Sequence, residues 1–565
     1  MLTTLLALAA ISQTELAAAE PDPTLPPVAG LIERYRADLG GFERFDDAPM
    51  SPGAIERYEQ FHHEWLGLLD GVAFDELDAD GRADGVLFRE HLQFEIDQAG
   101  YERAKLREIE PLLPFVADIV PMLEAHRRME PLDARRAAET LDRLAGEVKA
   151  ATAALEDAQG ERDRVLARRA SMELDGVIWA LSSWNRFYDG YDPMFSWWCD
   201  KPYDACIKAL REHSKVLRER IAGITDDQAP VIGDPVGRDV LLRMLRHEMI
   251  AYTPEELIDI AEREYAWCLD QMLQASDELG YGKDWKAALE HVRSLHVEPG
   301  QQPAMIAEMV REAIDFIDDN DLITVPELAK QTWRMSMMSP ERQKVSPYFL
   351  GGETIIVSYP TDTMEHGDKL ASMRGNNRHF ARAVVHHEVI PGHGLQRFMM
   401  DRYRTHRGLF YTPFWMEGWA LYWEMRLWDM GFAQSPEDRV GMLFWRMHRC
   451  MRITFSLRFH LGEITASEAV DLLVDRVGHV RQNATAEVRR SVNGDYPPLY
   501  QAAYMLGGLQ TLELHQELVE NGDMTEREFH DEILRHNAIP IEVLRAIMSG
   551  ETIERDFEPS WRFAG

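Results

Sequence analysis

The stretch AVVHHEVIPGHGLQ, residues 383–396, cannot be one unbroken helix if its histidines work together. It opens like the His-Glu-x-x-His box, in which two histidines one helical turn apart share a metal ion. His387 and Glu388 begin that pattern, but Pro391 stands where the second histidine belongs, and His393 follows two residues late. On a straight helix His387 and His393 would lie about 240° apart around the axis and roughly 9 Å apart along it. Two nitrogens bound to one zinc ion, at bonds of about 2.0–2.1 Å, are little more than 4 Å apart. His386 shares a face with His393, yet a rise of about 10.5 Å separates them. Co-ligation therefore requires a break between the two histidines. Pro391 supplies one, because it has no N–H for the carbonyl of His387 and its ring clashes with that carbonyl. Gly392 beside it takes torsions that other residues avoid.

The competing reading is a helix that simply ends at Pro-Gly, with its histidines on the surface or in the core. His63-Glu64 and His247-Glu248 also sit on helical stretches, and neither has a histidine in the next six residues. A third ligand favours the metal. In YTPFWMEGWALYWEMRLWDMG, a helix expected from Thr412 and Pro413 to Gly431, Glu417 lies 24 residues after His393. That distance leaves room for a helix, a turn and a return. Two histidines and one glutamate leave a fourth position for water, the pattern of a catalytic zinc site. Glu388 would then accept the water's proton and pass it to a leaving amine. Glu424, two turns past Glu417, is placed to orient a ligand histidine or else is an exposed helix carboxylate.

The surrounding chain reads as mainly α. AIERYEQFHHEWLGLLDGV, LDARRAAETLDRLAGEVKAATAALEDA and TPEELIDIAEREYAWCLDQMLQASDELG repeat apolar residues at helical spacing. The last starts with Thr253 and Glu256 as a capping box and stops at Gly280. Residues 224–239, rich in Pro, Gly and Asp, mark the expected division between an N-terminal lobe (20–230) and a catalytic region (231–565). The best strand is Thr354–Tyr359, a β-branched run stopped by Pro360. Everything after Gly375 reads as helix. The aromatic set Phe414, Trp415, Trp419, Tyr422, Trp423 and Trp428 nearly encircles its helix, so most of it is expected in the core.

With 61 Lys and Arg against 96 Asp and Glu, the net charge is −35, which argues against nucleic acid. No stretch reaches the roughly 18 apolar residues of a membrane span. The apolar run Leu5–Ile11 with Ala17, Ala18 and Ala19 behind it fits a signal peptide cleaved after Ala19, hence a periplasmic or secreted protein. The n-region has no Lys or Arg, so a frayed cytoplasmic N-terminus is the alternative. Cys199 and Cys206 could pair across a turn, although buried free thiols are expected.

HEVIPGHGLQ followed by EGWALYWE resembles the bacterial family called domain of unknown function 885, most strongly from about Arg382 to Gly507 and weakly back to YDPMFSWW. The resemblance implies a zincin-like fold: mainly α, two lobes flanking a deep cleft, with a small β element beside the metal motif and Zn2+ as cofactor. It also carries His460 and Tyr504 as oxyanion donors and Arg490 as a clamp on a substrate carboxylate. For each, an ordinary structural role is the alternative. Zincin clefts have an edge strand along which a peptide lies, which would make Thr354 and Ile356 substrate contacts, with Gly351 and Gly352 allowing close approach. The chain departs from the family at Pro498-Leu499-Tyr500-Gln501 and at Gly394, on the pocket wall rather than at the ligands. The expected activity is a zinc metallopeptidase acting on short peptides. A zinc hydrolase of a non-peptide amide or ester, or an inactive binding protein, are the alternatives. The sequence says nothing of oligomeric state.

Overall fold

Capping residues set the helices where the periodicity leads. A computed structural model of the chain describes residues 25–45, 48–157, 162–226, 229–345 and 349–564; the proposed signal peptide lies outside them. Ser51 caps α1 (Pro52–Asp70), its hydroxyl accepting the N–H of Ala54. The amphipathic segment after it becomes α2 (Ala134–Asp157), which packs on α4 (Pro193–Lys215), as does α3 (Arg164–Tyr188). Leu141, Leu144, Val148, Leu174, Leu181, Cys206 and Leu210 form their shared core. These elements belong to one compact unit, formed by the described residues among 25–76 and 88–234. Cys199, Cys206, Cys268 and Cys450 are all buried free thiols, so Cys199 and Cys206 do not pair.

The second unit comprises residues 77–87 and 235–565, so the change of unit falls between Asp234 and Pro235. Its first long helix, α5 (Pro254–Glu278), has the expected reciprocal capping box between Thr253 and Glu256. A two-stranded parallel sheet follows, β1 (Arg334–Met337) against β2 (Thr354–Val357). The strand is two residues shorter than the sequence suggests. Its last ladder bond runs from the Met338 N–H to the Val357 carbonyl, after which the partner chain turns into the helix at Pro340. The partner β1 has no strand-like composition and was not expected.

The remaining elements are helical and carry the site: α6 (Arg378–Glu388), α7 (His393–Met400), α8 (Pro413–Asp429), α9 (Pro436–His460), α10 (Arg481–Val492) and α11 (Tyr500–His515). Thr412 caps α8 by accepting the Phe414 N–H. α8 and α11 cross almost backbone to backbone at Gly418 and Gly507: a Cβ on Gly418 would lie 2.4 Å from the carbonyl carbon of Gly507. Phe414, Trp415, Trp419, Tyr422 and Trp423 are buried, as expected of a helix enclosed on all sides. Among the described residues no helix is long and apolar enough to cross a membrane.

Candidate metal centre

The helix does break between the histidines. α6 ends at Glu388, Val389 leaves helical torsions (φ −113, ψ −94), the Ile390–Pro391 bond is cis, and Gly392 turns the chain (φ −76, ψ −134) into α7. The turn is held from both sides. The Gly392 N–H reaches back to the His386 carbonyl at 2.9 Å, and the Trp419 indole N–H donates to the Pro391 carbonyl at 2.8 Å. The result brings the rings of His387 and His393 to 4.8 Å between centroids, nearly perpendicular. His386, one position earlier, points elsewhere and packs edge-on against Phe432.

Glu417, in the second turn of α8, completes the group. One of its oxygens, Oε2, lies 3.6 Å from His387 Nε2 and 3.2 Å from His393 Nε2. Donor atoms of His387, His393 and Glu417 all lie within 4.8 Å of one another, and all three residues are buried. The outer partners fix which nitrogens face inward. Glu424 can only accept, so His387 Nδ1–H donates to it at 2.7 Å. His393 Nδ1–H donates to Gln396 Oε1 at 3.0 Å, and the Gln396 amide in turn donates to the Trp415 carbonyl at 3.2 Å. Both Nε2 lone pairs and a carboxylate oxygen thus converge on one point. Three acceptors can share a point only with a cation or a proton between them, and two imidazoles oriented by outer-shell acceptors plus one carboxylate could hold a metal ion there.

Without an ion, a proton takes its place between His387 and Glu417. Burial works against charge on His387, but Glu417 and Glu424 outweigh it and lift its pKa to about 9. Burial alone would raise Glu417; His393 and His387 hold it well below its usual range. Glu424 is likewise lowered despite burial, chiefly by the Arg449 guanidinium at 3.5 Å. Glu388 behaves oppositely: burial raises it, and the neighbouring histidines offset only part of that. The loop before β2 closes over this carboxylate. Gly352 N–H donates to the Glu388 carbonyl at 3.1 Å, and a Cβ on Gly351 would lie 2.0 Å from Glu388 Oε2. The close approach expected at these glycines is therefore made to Glu388 itself.

The other expected residues are placed as follows. Tyr504 stacks on His387, with 6.2 Å between centroids and 12° between planes, while Arg449 and Arg452 each hold a guanidinium 4.5 Å from its ring centre. Arg490 is committed to buried Glu487 at 2.6 Å, the carboxylate that also takes Arg452 at 2.6 Å. Only its Nη2 makes that pair, and its buried Nε has no hydrogen-bond partner among the described residues. His460 closes α9, with its backbone carbonyl accepting the Gly237 N–H and its ring on Phe459. Ile356 exchanges both backbone bonds with Leu350, at 2.8 and 3.0 Å. Its edge is occupied, which removes it as a strand-pairing contact; Thr354, at the head of the same strand, is half-buried.

Three neighbours of the ligands were not anticipated: Gln396, Arg449 and Tyr500. The Tyr500 hydroxyl donates to Glu417 Oε1, the oxygen that does not face the histidines. Gln396 carried a signal, since it stands three residues after His393 on one helix. Arg449 carried none, and the departure at residues 498–501, expected on the pocket wall, instead reaches a candidate ligand through Tyr500.

The model of the family described as bacterial protein of unknown function, DUF885, matches residues 34–548. The chain belongs to the DUF885 family. The match covers every residue of the candidate metal centre. No functionally curated protein matches. A protein of Shewanella oneidensis described as a "putative lipoprotein of unknown function" shares the fold at a TM-score of 0.68 and 15% identity, covering 93% of this chain and 100% of its own. A "putative lipoprotein" of Colwellia psychrerythraea does so at 0.60 and 14%, covering 93% and 98%. At such identities the likeness is one of fold.

Proposed function

We propose that this DUF885 protein is a zinc-dependent hydrolase, a metallopeptidase of the glutamate-zincin type that cleaves short peptides. One observation carries the reading: His387, His393 and Glu417 converge on a point beside the buried carboxylate of Glu388. His387, His393 and Glu417 would hold the ion. When bound, zinc supplies a Lewis acid for the scissile carbonyl and lowers the pKa of a water. Glu388 takes the proton from the attacking water and delivers it to the leaving amine; burial raises its pKa, which suits a group that must both accept and release a proton. Burial keeps the Tyr504 hydroxyl protonated well above neutral pH, so it serves as a donor to the developing oxyanion. Arg449 and Arg452 fix its ring, and Glu424 and Gln396 fix the two imidazoles. A location outside the cytoplasm is part of the proposal. It is supported by the apolar run Leu5–Ile11 and by the description of the two structural relatives as lipoproteins.

The test is metal analysis of the purified protein, then hydrolysis of a dipeptide and tripeptide library before and after chelation, with Glu388→Gln alongside. The expected result is one zinc per chain, activity lost to the chelator and regained with zinc, and a variant that keeps zinc but loses turnover. A metal-free protein, or a Glu388→Gln variant that cleaves as fast as the parent, overturns the reading.

A further inference from the structure

The chain carries 96 Asp and Glu against 61 Lys and Arg, so an arginine beside the candidate centre that faces no carboxylate needs a reason. Arg449, Arg452 and Arg490, around Tyr504, each face one: Arg449 lies 3.5 Å from Glu424, and Arg452 and Arg490 lie 2.6 Å from Glu487. Arg397 differs. It is exposed and, among the described residues, its side chain makes no hydrogen bond or ion pair, not even with Asp401 one turn along α7. Its place is well defined all the same. It follows the candidate ligand His393 by four residues, so the two share a face of α7, about 6 Å apart along the axis. Its guanidinium lies over Gly352: a Cβ there would be 3.5 Å from Arg397 Nε and 3.6 Å from its Cζ. Gly352 is the residue whose N–H holds the Glu388 carbonyl. Tyr411, 50% exposed, lies within electrostatic reach of both Arg397 and Glu417. The two carboxylates that Tyr411 feels are engaged elsewhere, Glu417 by His387, His393 and Tyr500, and Glu248 by the Thr412 hydroxyl. One cation is thus left open one helical turn from His393, against the loop that covers Glu388.

We propose that Arg397 anchors the C-terminal carboxylate of the substrate, so that the protein removes the last one or two residues of peptides with a free C-terminus. The inference rests on the metallopeptidase reading and names its substrate class. A planar guanidinium takes a carboxylate by two parallel N–H···O bonds, which fixes direction as well as charge. Two extended residues span about 7 Å, which matches the turn of helix between His393 and Arg397. A carboxylate one or two residues past the scissile carbonyl therefore reaches Arg397 while that carbonyl sits at the centre. The reaction is the hydrolysis already described: water adds to the carbonyl, the C–N bond breaks, and the leaving amine takes its proton from Glu388 while its own carboxylate stays on Arg397.

The dipeptide and tripeptide library, each member prepared as the free acid and as the C-terminal amide, tests this on the full chain. The zinc-loaded parent should favour acids over amides about tenfold or more in kcat/KM, the range that a charge-assisted hydrogen bond contributes. Arg397→Ala should abolish that preference through KM at an unchanged melting temperature, since the side chain is exposed. Arg397→Lys should keep part of it, because a point charge replaces the fork. Calorimetric binding of the same pairs to the chelated, metal-free protein needs no turnover: acids should bind more tightly than amides to the parent and no more tightly to Arg397→Ala. Acids and amides cleaved alike by the parent overturn the anchor and leave the metallopeptidase standing. A preference that survives Arg397→Ala does the same and moves the carboxylate to another group, such as Arg490. If no peptide is cleaved, the metallopeptidase reading falls instead and the binding arm decides on Arg397 by itself, the absence of any acid preference overturning it.

Discussion

Removing Glu424 should loosen the proposed zinc without touching any of its candidate ligands. Its Oε1 takes the His387 Nδ1–H at 2.7 Å and lies 3.5 Å from the Arg449 guanidinium, and both partners are buried. Glu424→Ala strips the imidazole of the acceptor that sets its tautomer and orientation. Losses of this kind cost about 10–100-fold in metal affinity, or about 1.4–2.7 kcal/mol. The same change leaves Arg449 as a buried cation without its carboxylate, which destabilises by about 3–5 kcal/mol. Glu424→Gln keeps an oxygen for Nδ1–H and should sit at the low end for affinity, near tenfold, while losing most of the charge pairing with Arg449. The assay is zinc competition against a chelating dye at fixed pH, paired with urea unfolding of the metal-free proteins. Affinities in the order parent, Gln, Ala, with both variants destabilised when metal-free, are expected. A Glu424→Ala protein that holds zinc as tightly as the parent would refute the inward orientation of His387 Nε2 derived from this bond.

Tyr500→Phe deletes the hydroxyl that donates to Glu417 Oε1; with hydrogen bonds to charged groups contributing about 1.5–3 kcal/mol, zinc affinity should fall at least tenfold at unchanged stoichiometry, read by the same dye competition. Gly351→Ala puts a methyl 2.0 Å from Glu388 Oε2; turnover should drop about 100-fold, as misplacement of about 1 Å can do, with zinc content intact by elemental analysis. Gly418→Ala drives a methyl into the α8–α11 crossing and should cost at least about 1–3 kcal/mol in urea unfolding. The protein should also lose stability in acid. Burial pushes the pKa of His479 and of His530 down to about 3, so the unfolded chain binds protons below 6.5 that the folded one refuses. Their contribution is complete above pH 6.5 and lost as pH falls toward 3. At pH 5 each costs about 2 kcal/mol, which unfolding titrations of the parent and of His530→Gln at pH 7 and pH 5 would reveal as a shallower acid loss in the variant.

How far the site could be seen in the sequence follows from the range of each contact. The Thr253–Glu256 box, the Thr412 cap and the Pro391-Gly392 break act within a few residues, and each fixed its piece of backbone in advance. Glu424 was legible because two helical turns return it to the face of Glu417. Tyr500 was not, since nothing in its neighbourhood points to a glutamate 83 positions earlier; that meeting exists only because Gly418 and Gly507 let α8 and α11 cross at backbone distance. β1 was hidden for a related reason. Arg-Met-Ser-Met has no strand bias of its own, and its conformation is imposed by pairing with β2. The local rule most openly broken, an α-helix interrupted between two histidines, is the feature around which the ligands gather. A break in the middle of a buried helix survives only when something specific holds it, and here the Trp419 indole, the Gly392 N–H and the Gly351–Gly352 loop all close on it.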